Sequence, residues 1–267
     1  MLSRLAPARR RFVIGVLVLL GGLVVLAVAL GASAAVRASH TVPVAQDAPG
    51  PVLLVPGYGG SVASLSALAQ RLRAAGRDAT VVTLPDQARG DLTTQADALG
   101  AAADAALART GAASVDLVGY SAGGVVARIW VAESGGAART RRLVMLGSPN
   151  HGTDLARLGS LFSGACPTAC QQLATDSAVL SRLDRDPVPA GVLALSLWTT
   201  QDDVVVPPQS AVLEGVPSPS LQSICAQDAV DHTRLPTDPV AGRLVLEALG
   251  TGPIPTWAPA DCARLSS

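Results

Sequence analysis

Short runs of consecutive apolar residues alternate along the chain with longer alanine-rich stretches of mixed polarity. The apolar runs fall at 52–55, 79–84, 115–118, 143–146 and 192–198. Runs of this length, with no polar alternation, predict strands buried on both faces, as in a parallel sheet. Between them the pattern predicts helices over 64–75, ended by Gly76, over 91–108, closed by Gly111, and over 122–132. A last helix is expected over 239–249 and a weak one over 171–183. Alternation of this kind predicts an α/β fold, a mostly parallel central sheet with helices on both faces. Residues 152–190 break the rhythm with two cysteines and several Ser, Gly and Pro turns. They are expected to form a lid or a surface insertion, because loops on that side of such sheets carry function.

The N-terminal stretch has a different character. Arg9-Arg10-Arg11 precedes an uncharged run from 12 to 36 that contains Ala32-Ser33-Ala34. A positive segment, an apolar run and a small-residue triplet predict an export signal over 1–36, cleaved after Ala34. The run is also long enough to span a bilayer, so an uncleaved anchor with the arginines inside, and membrane association through 12–36, is the alternative. Arg9-Arg10-Arg11-Phe12-Val13 approximates a twin-arginine signal but reads as an ordinary positive segment. Residues 37–50 are polar and contain proline, as a linker would, and 51–267 is the expected domain.

With 267 residues, 49% hydrophobic and 15% charged, the chain is suited to one sizeable core. These values exclude a disordered chain, a coiled coil or a nucleic-acid binder that relies on a basic field. All 20 basic residues are arginine, which excludes Schiff-base chemistry, a lysine phosphate grip and a Ser-Lys dyad. Without residues 1–34 the chain loses four arginines (Arg4, Arg9, Arg10, Arg11) from its 20 and none of its 20 acids, a net charge of −4. That is a mild value suited to solubility. Four cysteines in an exported chain predict two disulfides, and nearness favours Cys166–Cys170 and Cys225–Cys262. Their spacing lacks the pattern of a zinc site, so no metal is expected.

Gly119-Tyr120-Ser121-Ala122-Gly123 is a GxSxG element set between a predicted strand and a predicted helix. The turn it implies is so sharp that the positions around Ser121 must be nearly without side chains, a demand that Gly119, Ala122, Gly123 and Gly124 meet. Ser121 then stands exposed above the sheet, and the Ala122 N–H points at a developing oxyanion. Such a serine needs a base, and only three histidines are present. His40 lies in the linker. His151, in Pro149-Asn150-His151-Gly152-Thr153, precedes the acid candidates and reads as a loop-shaping residue. The chain order of α/β-hydrolases (serine, acid, histidine) selects His232. The acid is expected at the end of the strand over 192–198, where Asp202 and Asp203 are adjacent. Successive side chains of an extended segment face opposite ways, so only one can serve, and spacing does not choose. Asp231 is too close in sequence to His232 and reads as a solvated loop acid. The glycine-dense loop Pro56-Gly57-Tyr58-Gly59-Gly60 offers a second oxyanion donor, the Tyr58 N–H.

Taken in order, Pro56-Gly57-Tyr58-Gly59, the Ser121 element, Gly147-Ser148-Pro149-Asn150-His151-Gly152-Thr153, Asp202 and His232 resemble the small secreted bacterial lipases and esterases called lipase class 2. The resemblance covers about residues 50–250 and implies the α/β-hydrolase fold. That family's oxyanion loop usually reads His-Gly, and Pro56 replaces the histidine here. Its acid stands one residue before three aliphatics, which implies Asp202 rather than Asp203. The resemblance further implies hydrolysis of acylglycerols or shorter esters with no metal or organic cofactor, and often little or no lid. The expected partner is an ester or lipid substrate, not nucleic acid, and the expected state is a monomer. Acyl transfer to a cell-envelope acceptor by the same triad is the alternative, whereas a binding protein on an inactive hydrolase fold would make three correctly ordered triad members a coincidence.

Overall fold

Five strands form at the apolar runs: β1 (Val52–Val55), β2 (Ala79–Val81), β3 (Val115–Tyr120), β4 (Thr140–Leu146) and β5 (Leu193–Leu197). They pair in the order β2-β1-β3-β4-β5, and every pairing is parallel. The computed structural model describes residues 44–160 and 166–266, with Val16 and 20–22. It divides into Met1–Val42 and Pro43–Ser267, and all that follows concerns the second unit. The expected export signal or anchor over 1–36 lies almost wholly outside the described residues. Among those described, no helix is long and apolar enough to cross a membrane.

The pleat sorts the uninterrupted apolar strands into two cores. Leu53, Val55, Leu117 and Met145 face one buried cluster; Leu54, Val118, Val144 and Leu197 face the other. Helix α1 (Ala63–Ala74) covers the second face together with a helix near the C-terminus. Helices α2 (Leu92–Thr110) and α3 (Ala122–Glu133) cover the first with Leu92, Leu99, Val125 and Ile129. After β4 come α4 (Asp154–Ser160), α5 (Thr168–Gln172) and α6 (Ala178–Leu183); after β5 come α7 (Leu221–Ile224), α8 (Pro239–Ala248) and α9 (Cys262–Leu265). Helix α8 is the partner of α1, contributing Leu244 and Val245.

The structure differs from expectation in four places. Strand β2 stops at Val81, not 84: the Val82 N–H makes one last bond to Leu54 O at 2.9 Å, and β1 then runs into Pro56, which has no N–H to continue the ladder. Strand β4 starts three residues before its apolar run, because buried Arg141 and Arg142 find partners there. Arg141 pairs with buried Asp116 on β3, as does Arg77, and also donates to Leu249 O at 2.8 Å. Arg142 donates to the carbonyls of Ala248 and Gly252, so both cations serve the C-terminal end of α8, where positive charge is favoured. The weak helix over 171–183 is two helices, separated because Ser177 accepts from Leu180 N to start α6 and donates to Gln172 O at 2.7 Å. Residues 44–50 of the expected linker are tied to the domain, with the Gln46 amide donating to Arg141 O and Gly191 O.

Both disulfides favoured by nearness are formed, Cys166–Cys170 and Cys225–Cys262. The first joins the region of α4 to α5; the second ties the end of α7 to α9.

Candidate active site

Strand β3 hands over to α3 through Ser121, whose backbone stands at φ 53° and ψ −129°. For a residue with a side chain this conformation costs on the order of 1–3 kcal/mol, and packing must impose it. Here it does. A methyl group at Gly119 would lie 2.4 Å from Gly124 Cα, and one at Gly123 would lie 2.2 Å from Val55 O. The missing side chains let the first turn of α3 press onto the ends of β1 and β3. Ser121 N–H donates to Leu146 O at 2.8 Å, and its carbonyl accepts from Gly124 N at 3.0 Å. A serine at a helix start usually uses its hydroxyl to cap the free N–H groups. In Ser121 the hydroxyl makes no such bond and points elsewhere.

It points at His232. The imidazole lies on the loop between α7 and α8, almost fully buried, with Nε2 3.0 Å from Ser121 Oγ. Its Nδ1 lies 2.8 Å from Asp202 Oδ2. A carboxylate only accepts, so Nδ1 carries the proton and Nε2 is left to accept from the serine hydroxyl. The other oxygen of buried Asp202 accepts from Val204 N at 3.0 Å and Val205 N at 2.7 Å, which fixes the carboxylate in rotation. The structure therefore brings Ser121, His232 and Asp202 into one hydrogen-bonded row, while Asp203 is exposed to solvent.

The remaining candidates separate cleanly. His40 lies outside the described residues. His151 Nε2–H donates to Val212 O at 2.9 Å and its Nδ1 faces Asp184 at 3.2 Å, so both ring nitrogens are engaged with neighbouring loops. Asp231 turns to Thr233 and Arg234, and the Thr233 hydroxyl, ahead of the Arg234 N–H, holds its carboxyl below the usual carboxylate range. The Gly57 loop lies directly against the serine, since a methyl group there would stand 2.8 Å from Ser121 Cβ. The Tyr58 and Ala122 N–H groups flank this point, and neither makes a hydrogen bond among the described residues.

An apolar cavity of about 220 Å³ opens beside Ser121, between Tyr58 and Ala122 on one side and residues of 149–173 and 204–205 on the other. The 152–190 excursion thus supplies a wall, through Leu155, Ala156, Cys170 and Leu173.

Two residues that support the site carry no signal in the sequence. Thr153 Oγ1 donates to Val204 O at 2.8 Å and accepts from Val206 N at 3.0 Å, bracing the loop whose amides hold Asp202. Tyr120 donates its hydroxyl to His232 O at 3.1 Å. The buried Asp116–Arg141 pair sits at the opposite end of the strands from Ser121.

Comparison with known proteins bears on the fold and the family of the chain. Among solved structures the chain is similar to lipase B of Aspergillus fumigatus (19% identity, TM-score 0.67), covering 82% of this chain and 56% of that one. The chain therefore spans little more than half the length of that fungal protein. It is similar also to the mature form of lipase BlEst2 of Bacillus licheniformis (19% identity, TM-score 0.60; 82% of this chain and 93% of that one). A third similarity is to MGS-MChE2, an alpha/beta hydrolase from the metagenome of lagoon sediments of Mar Chica, Morocco (17% identity, TM-score 0.53; 74% and 89%). At such identities these likenesses show the fold, that of the α/β-hydrolases. No curated protein matches the chain. The family model described as Lipase (class 2) matches residues 103–243, which include Ser121, Asp202 and His232. That match spans more than half of the sequence, and the chain belongs to the class 2 lipase family.

Proposed function

We propose that the chain is a secreted serine carboxylic-ester hydrolase, a lipase or esterase with Ser121 as nucleophile. The observation that carries this reading is the continuous row from Asp202 through His232 to Ser121, at 2.8 and 3.0 Å, beside an apolar cavity. Ser121 Oγ attacks the ester carbonyl as His232 Nε2 takes its proton. Asp202 holds the imidazole in the required tautomer and stabilises the imidazolium. The Tyr58 and Ala122 N–H groups, the latter at the positive end of α3, receive the oxyanion. The tetrahedral adduct collapses, the alcohol leaves with the His232 proton, and water attacks the acyl-enzyme by the same route to release the acid and restore the serine.

Export is supported by the arginine cluster and apolar run of 1–36 and by two disulfides, which persist in oxidising compartments. Ser121→Ala is the test of the chemistry. It should abolish hydrolysis of p-nitrophenyl esters and labelling by a fluorophosphonate. Turnover comparable with the unaltered enzyme would sink the reading.

A further inference from the structure

The cavity beside Ser121 has a direction. Ala156, Leu173 and Val205 form its floor, each less than a tenth exposed, whereas Tyr58, Leu155 and Val204 are exposed by a third or more and form its rim. Ser121 and Ala122 belong to its lining, but His232 does not. A leaving alcohol must depart beside the imidazole that protonates it, so the alcohol side of an ester lies outside this cup. The acyl side then lies within it. Among the described residues no charged side chain lines the cup, and its walls are the kind of surface that gains from burying methylenes.

Its size sets a limit. A volume of about 220 Å³ is below the range of roughly 300–1,000 Å³ that drug-sized ligands occupy. A protein cavity of about 150 Å³ holds benzene, six carbons, and by that measure this cup of about 220 Å³ holds roughly eight to nine. We infer that it is the acyl subsite and that it takes medium-length straight acyl chains, up to about eight carbons with the carbonyl included. This rests on the proposed ester hydrolysis. Carbons beyond the eighth emerge over the rim into water and gain nothing further.

Ala156 and Leu173 are the specificity-determining positions. Enlarging Ala156 raises the floor, and trimming Leu173 lowers it.

The test is a p-nitrophenyl ester series from acetate to dodecanoate, each below the concentration at which it self-associates. For the unaltered enzyme kcat/KM should climb by up to about fourfold per methylene as far as octanoate, then level or fall. Ala156→Leu should move that break to shorter chains and lower the octanoate-to-butyrate ratio by at least about tenfold, since its added carbons displace substrate methylenes. Leu173→Ala should move the break to decanoate or beyond. If kcat/KM climbs without a break through dodecanoate, or falls from acetate onward, the inference is overturned while the hydrolase reading stands. An octanoate-to-butyrate ratio untouched by Ala156→Leu overturns it equally. An unaltered enzyme that hydrolyses no ester and takes no fluorophosphonate label removes the hydrolase reading itself.

Discussion

Tyr120 donates its hydroxyl to the backbone carbonyl of His232 at 3.1 Å, and its ring centroid lies 5.2 Å from that of the imidazole. The residue immediately before Ser121 therefore holds the histidine that reaches Ser121. Burial, and then the carboxylates of Asp202, Asp231 and Asp203, push the phenol well above its ordinary pKa of 10.0, so it stays a donor through any working pH. Tyr120→Phe keeps the ring and removes only that bond. It should lower kcat by about tenfold, the equivalent of about 1.4 kcal/mol, with KM little changed and the alkaline limb of the pH profile unmoved. A change confined to KM would contradict this positioning role.

Thr153 braces the loop that carries the acid. Thr153→Val has nearly the same shape but leaves Val204 O and Val206 N without their partner. We expect a stability loss of about 1–3 kcal/mol and a fall in kcat greater than any rise in KM. Thr153→Ser, which keeps the hydroxyl, should restore kcat. If it does not, the methyl group rather than the hydrogen bonds is what matters.

Adjacent aspartates make a direct comparison possible. Asp202→Asn should lower kcat on the order of 10⁴-fold, because an amide no longer selects the tautomer with Nδ1 protonated. Asp203→Asn, at an exposed position, should change it less than about twofold. Equal effects of the two substitutions on ester turnover would show that the row seen in the structure is not the one used.

Helix α2 starts at Asp91, whose Oδ1 accepts from Thr93 N and Thr94 N while Oδ2 accepts from Gln172 at 2.6 Å. Gln172 in turn accepts from Leu92 N at 2.8 Å, so this carboxylate docks α5, and with it a wall of the cup, onto α2. The Thr94 N–H, followed by the Gln172 amide, lowers the Asp91 pKa below 3.8. A depressed pKa means that stabilisation is complete above the unfolded value of 3.8 and is lost as pH falls through the folded value. Asp91→Ala should thus cost about 1 kcal/mol at neutral pH, and the gap from the unaltered protein should narrow in acid below 3.8. Urea titrations across that range would show a constant gap if the charge played no part.

Much of this molecule is written in short stretches of sequence. The apolar runs at 52–55 and 115–118 place β1 and β3 because such segments have no stable place outside a two-faced sheet. Gly119, Gly123 and Gly124 mark the bend at Ser121 because only residues without side chains permit helix and strand to approach so closely. The small number of histidines, with the order serine, acid, histidine, pointed to His232. These are local demands, and local sequence expresses them.

Contacts between distant segments left no such mark. Arg141 and Arg142 lie within β4 only because Asp116 and the end of α8 receive them, which no window around 140–142 reveals. Spacing could not divide Asp202 from Asp203, since alternate faces of one loop become different only when His232 arrives on one side. Thr153 and Tyr120 acquired their roles in the same way, by meeting backbone atoms 51 and 112 residues away. Periodicity and backbone sterics act between neighbours along the chain and can be read there. A hydrogen bond across the fold depends on where two loops come to rest, and packing alone decides that.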